Sequence, residues 1–163
     1  MSAKKERLWE AYLEEKGKAW LKVESGSMLP MIPVGANILI KRCDFKEIKP
    51  SDIVVFKSKG KFIVHRVLRK NRDKLLQAGD NFSLPSLIHK ENILGRVVLI
   101  KDQKYVIDLE KKKNRILNIV ISAIYVLAHK IPSHKYWLLR INNKLMGLLR
   151  ESRTKRCQNA SSH

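Results

Sequence analysis

The chain has 163 residues, 44% apolar and 30% charged, a balance that excludes disorder over most of its length and suits one domain with an appendage. Its net charge of +19 points to polyanionic partners, either nucleic acid or the anionic face of a membrane. Cys43 and Cys157 are too far apart for a metal-binding spacing or a disulfide framework. They read as free thiols in a reducing compartment, with one remote disulfide as the open alternative.

The charged N-terminus lacks the apolar core of a cleavable signal peptide. Residues 3–21 are predicted to be helical, with Leu8, Trp9, Tyr12 and Leu13 on one face. Glu10, Glu14 and Glu15 are spaced to pair with lysines a turn away, and Gly17 weakens the last turn. Residues 1–22 are therefore expected to form an amphipathic helix, lying over a sheet or on a membrane surface.

Residues 23–109 read mostly as strands. The runs 38–40, 53–56, 62–64, 75–76, 97–100 and 105–107 are short and β-branched or apolar, and Gly, Pro, Asp and Asn turn signals separate them. This spacing predicts a mainly β domain, an antiparallel sandwich or partly open barrel. After residue 109 the character changes. Residues 116–129 are apolar nearly all round, Pro132 breaks that helix, and 137–150 place Leu138, Ile141, Leu145 and Leu148 on one face of a second. From Glu110 onward there are 12 Lys/Arg against 2 Asp/Glu, so residues 110–151 read as a basic helical hairpin for a membrane surface. No run reaches the ~20 apolar residues of a spanning helix. Residues 152–163 read as a disordered polar tail.

A nucleophilic serine needs a base, a group that orients the base, donors for the oxyanion and a backbone that does not drift. Ser25-Gly26-Ser27-Met28-Leu29-Pro30 supplies such a backbone, because Gly26 permits a tight turn and Pro30 and Pro33 stiffen the rest of the loop. Taken alone this is an ordinary turn. His65 lies in the strand-like run 62–67, where alternation sends its side chain to one face. Asp80, in Gly79-Asp80-Asn81, is equally a good hairpin turn residue, but a buried aspartate accepting from an imidazole N–H would set its tautomer. His89, His129, His134 and His163 have no patterned neighbours and read as non-catalytic.

Taken in order, Ser-Gly-Ser-Met-x-Pro, a strand ending in His65-Arg66-Val67, and Gly79-Asp80-Asn81 resemble type I signal peptidases. The likeness is to the archaeal and endoplasmic-reticulum branch, in which histidine stands where most bacterial enzymes carry lysine. It covers about residues 23–98 and extends to Ile32-Pro33-Val34-Gly35, the segment 48–56 and Gly95-Arg96-Val97-Val98. The resemblance implies Ser27 as nucleophile, His65 as general base, Asp80 as its acidic partner, and Ser25 with the Ser27 amide at the oxyanion. It also implies a substrate bound as an extended strand, with Met28, Pro30, Ile32, Asp52, Val54 and Phe56 as groove walls. It implies no cofactor and no metal. Ser51 stands where the family commonly has glycine before Asp52, and Gly35-Ala36-Asn37 departs from the usual Gly-Asp.

The expected function is cleavage of signal or leader peptides from precursors by a peripheral membrane-associated or cytoplasmic enzyme. A cytoplasmic maturation protease for a small peptide would use the same chemistry. A self-cleaving, DNA-associated regulator of the same fold is the further alternative. It is less favoured because such proteins use a lysine base, the segment before Ser25 is too short for a helix-turn-helix, and no Ala-Gly or Cys-Gly site precedes Ser27.

Overall fold

The computed structural model describes residues 3–81, 84–130, 140–141 and 144–145. Helix α1 (Ala3–Lys16) is followed by strands β1 (Lys18–Lys22), β2 (Asn37–Lys41), β3 (Ile53–Ser58), β4 (Lys61–Lys70) and β5 (Lys74–Ala78). Then come β6 (Ser86–His89), β7 (Ile93–Lys101), β8 (Val106–Asp108) and helix α2 (Lys112–Lys130). The strands form one antiparallel sheet in the order β1-β2-β7-β3-β4-β5-β6, with β8 paired to β7. This is the expected mainly β architecture, a curled half-barrel with a helix at each end.

The first helix is shorter than expected. Gly17 takes φ +67°, and its N–H donates to the Leu13 carbonyl at 2.9 Å, an end that glycine makes without steric cost. The stretch Lys18-Ala19-Trp20-Leu21-Lys22 alternates outward and inward and pairs with β2, so residues 18–22 are a strand rather than the helix's last turn. The apolar face of α1 is also narrower. Leu13 is buried and Trp9 packs beside it, whereas Leu8 and Tyr12 are exposed. Two of the acidic residues pair across to the sheet, Glu10 with Lys57 at 2.6 Å and Glu14 with Arg42 at 3.0 Å, which docks the helix on it. Strand β6 has no counterpart among the runs that the sequence marks as strands. It buries only Ile88, too little to leave a period-2 pattern.

Both faces of the sheet are covered. One core gathers Leu13, Met28, Met31, Ile32, Ile38, Ile53, Val55 and Ile100, and Ile121 of α2 joins it. The other gathers Ile48, Val54, Phe56, Val67, Leu75 and Ile88. Where β7 crosses β2, a Cβ on Gly95 would meet the Lys41 carbonyl oxygen at 2.5 Å. Gly95→Ala is therefore expected to lower stability by about 1–3 kcal/mol in urea unfolding.

Helix α2 inverts the usual arrangement. Its buried side carries Asn114, Asn118, Ser122 and Tyr125 beside Ile121, while Ile116, Ile119, Val120 and Leu127 are exposed. It is thus not apolar all round in its environment, because its polar residues are the ones that reach partners in the sheet. No helix among the described residues is long and apolar enough to cross a membrane. Most of the second expected helix, 137–150, and the tail 152–163 lie outside the described residues, as does Cys157; Cys43 is a free, half-buried thiol whose pKa burial raises.

Candidate active site

Ser27 sits in the loop between β1 and β2, whose base is fixed by apolar burial. Met28, Met31 and Ile32 are fully sunk in the core, and the Leu29–Pro30 peptide is cis. Ser25 is exposed and Ser27 half-buried, their hydroxyl oxygens 3.5 Å apart. The Ser27 carbonyl accepts from the Asn81 N–H at 2.9 Å, so the Ser27 loop is tied to the segment that follows β5.

His65 and Arg66 are consecutive on β4 and point to opposite faces. His65 lies opposite Val54, with the Phe56 ring edge-on to it at 5.9 Å between centroids. Its Nδ1 is hydrogen-bonded to Oε1 of buried Gln77, whose Nε2 donates to Ser86 Oγ. An amide oxygen can only accept, so Nδ1 carries the proton and Nε2 keeps its lone pair. Burial lowers the His65 pKa below the usual 6.5, and the Gln77 bond and the Asp80 charge only partly oppose it. The imidazole is therefore neutral near pH 7.

Asp80 does not orient the imidazole as expected. Ala78 lies opposite Arg66, and Asp80, two residues on, follows the same face. Its two oxygens accept from Arg66 Nε and Nη2, each at 2.7 Å, in a pair closed to solvent. Gln77 is the residue that bonds the imidazole, and sequence reasoning misses it. Its place next to a Gly-Asp turn carries no signal until the β4–β5 register is known.

The expected groove walls are also relocated. Met28, Ile32, Val54 and Phe56 are core side chains, because β3 is a central strand paired with both β4 and β7. Pro30 is half-buried in the Ser27 loop. Asp52 accepts the Lys49 N–H at 2.8 Å and lines a separate recess of about 160 Å³ with Arg96, Glu110 and Arg115; burial raises its pKa.

The open groove lies elsewhere. A cleft of about 610 Å³ runs between residues 21–25 and 59–64, with Glu6 of α1 at its rim. Strand β5 pairs with β4 only from Arg66 onward, so residues 61–65 have β3 on one side and, among the described residues, no ladder partner on the other. An extended chain can add there by main-chain hydrogen bonds. Among the described residues no group of three or more His, Cys, Asp or Glu could hold a metal ion.

Among protein-family models, the one described as Peptidase S24-like matches residues 3–98. No curated protein matches the chain.

Proposed function

Because the chain belongs to the Peptidase S24-like family, we propose that it is a serine endopeptidase that removes leader or signal segments from precursor polypeptides, with Ser27 as nucleophile and His65 as general base. The observation that carries this reading is an imidazole held by Gln77 on the same strand whose free edge borders the cleft, where burial lowers its pKa and so favours the neutral form. In the proposed reaction His65 Nε2 takes the Ser27 proton and Oγ attacks the scissile carbonyl. The Ser27 N–H and the Ser25 hydroxyl donate to the oxyanion. The imidazolium then protonates the leaving amine, and water, activated by the same nitrogen, releases the acyl group.

Mass-spectrometric mapping of products from a peptide mixture tests the reading. Cuts at a consistent site in added peptides support it. A single first-order cut within the chain itself, unaffected by dilution, would favour the self-cleaving alternative, and intact peptides with an intact chain would end both.

The pH dependence has a definite sign. The base works only when neutral, so kcat/KM should rise with pH along a limb whose midpoint lies below 6.5. The same shift acts on stability. The unfolded chain takes up this proton first, so the contribution of His65 is full above the unfolded value and lost as pH falls through the folded one. An ascending limb centred above 7 would rule out His65 as the base.

We place the enzyme at an anionic membrane surface. Ile116, Ile119, Val120 and Leu127 form an exposed apolar stripe on α2, next to exposed Lys111, Lys112, Lys113 and Arg115. Such a face suits the boundary between lipid headgroups and acyl chains, with each basic residue near the surface adding ~1 kcal/mol. The chain should co-sediment with anionic vesicles, and Ile119→Asp with Leu127→Asp should weaken this at least about tenfold. Equal binding by both proteins would remove the claim.

A further inference from the structure

The family match ends at residue 98, and α2 begins at Lys112, yet α2 reaches Arg66, the residue next to His65 on β4. Arg66 is fully buried and all five of its N–H bonds are used. Two go to Asp80, one to the Met31 sulfur at 3.0 Å, one to the Ser51 carbonyl at 3.2 Å and one to Asn118 Oδ1 of α2. Asn118 also donates from Nδ2 to the Ser51 carbonyl at 2.8 Å. Ser51 itself holds a left-handed backbone, φ +76°, and the two donors on its carbonyl keep it there.

Three segments of the site converge on this guanidinium. The Ser27 loop reaches it through Met31, and its Ser27 carbonyl is held by the N–H of Asn81, the residue after Asp80. The base strand reaches it because Arg66 follows His65. The end of β5 reaches it through Asp80. Asn118 is the fourth contact and comes from α2. Two turns further along the same buried face, Tyr125 feels the Asp80 charge.

We propose that α2 is a working part of the active site and that Asn118 is a positioning residue, acting through Arg66 and Asp80 to set where Ser27 sits relative to His65. This rests on the peptidase reading above. Removing the Asn118 acceptor leaves a buried N–H unpaired and frees the guanidinium to shift, and misplacement of a catalytic group by about 1 Å can cost 10²-fold in rate.

The test compares Asn118→Leu, Asn118→Asp and Asn114→Ala in the full chain. Asn114 is buried on the same helix but bonds the Asp108 carbonyl, away from Arg66, so its loss loosens α2 without touching the guanidinium. Two rates are read: peptide cleavage, and labelling of Ser27 by a small fluorophosphonate that does not need the cleft. Asn118→Leu should lower kcat and the labelling rate together by about 10–10²-fold, with KM within about twofold. Asn118→Asp, which keeps an acceptor for Arg66 but loses the donor to the Ser51 carbonyl, should restore only part of both. Asn114→Ala should lower the melting temperature and leave both rates near wild type. If wild type is labelled at Ser27 and Asn118→Leu is labelled equally fast, the positioning role is overturned alone. The same holds if the two Asn-to-apolar variants lose rate in proportion to lost stability. If wild type is neither labelled nor active, the peptidase reading fails and this role fails with it.

Discussion

Ser27→Ala is expected to lower kcat/KM on a cleavable peptide by about 10⁴–10⁶-fold, the loss seen when a catalytic serine is removed and only binding and oxyanion contacts remain. The fold should survive. The structural work at position 27 is done by its backbone, whose carbonyl holds the Asn81 N–H at 2.9 Å, and alanine keeps that carbonyl. The hydroxyl's contact with Ser25 Oγ is long, 3.5 Å, and contributes little to stability. An unchanged melting temperature with lost cleavage is the expected pair of results. A loss of less than tenfold would mean that another group attacks the substrate. His65→Ala should approach the same loss of rate, with some added cost in stability because Phe56 loses the ring it packs against.

Arg66→Met is expected to cost about 3–5 kcal/mol, since it leaves the Asp80 carboxylate buried without its bidentate partner. That is a large share of the roughly 5–15 kcal/mol that holds a domain of this size together. The loss would also strip a donor from the Ser51 carbonyl and the partner from Asn118 Oδ1. Removing both charges, as in Arg66→Met with Asp80→Leu, should recover part of the stability, because no unpaired ion then remains inside. Urea unfolding of the two single variants and the double variant measures the coupling. A single-variant cost under about 1 kcal/mol would show that the pair is not the keystone its burial implies.

The same pair marks the limit of what the sequence makes legible. The β-branched runs of β2, β3, β4, β7 and β8 announce themselves, and so does the order of Ser27, His65 and Gly79-Asp80-Asn81. The partner of His65 does not. His65 and Arg66 compete for Asp80, and the face on which Asp80 falls depends on the β4–β5 register, which a bulge between Val67 and Arg69 shifts. Gln77, on the His65 side, has no pattern of its own. The groove is hidden for a related reason: Val54 and Phe56 look like wall residues until strand order shows β3 in the middle of the sheet. The end of α1 hinges on Gly17, where a weak helical turn and a left-handed stop look alike in one dimension. The inversion of α2 is equally hidden, because periodicity marks an apolar stripe without saying which side meets the protein.

The seating of α1 has an optical consequence. Trp9 donates its indole N–H to the Trp20 carbonyl at 2.7 Å and packs against Phe62 with 4.9 Å between ring centroids. Phe62 in turn lines the cleft, and Glu6, one helical turn before Trp9, stands at its rim. The intrinsic emission of this indole therefore reports on the cleft. A peptide laid along residues 61–64 would change the polarity around Phe62 and Trp9 and register as a spectral shift, with no attached dye.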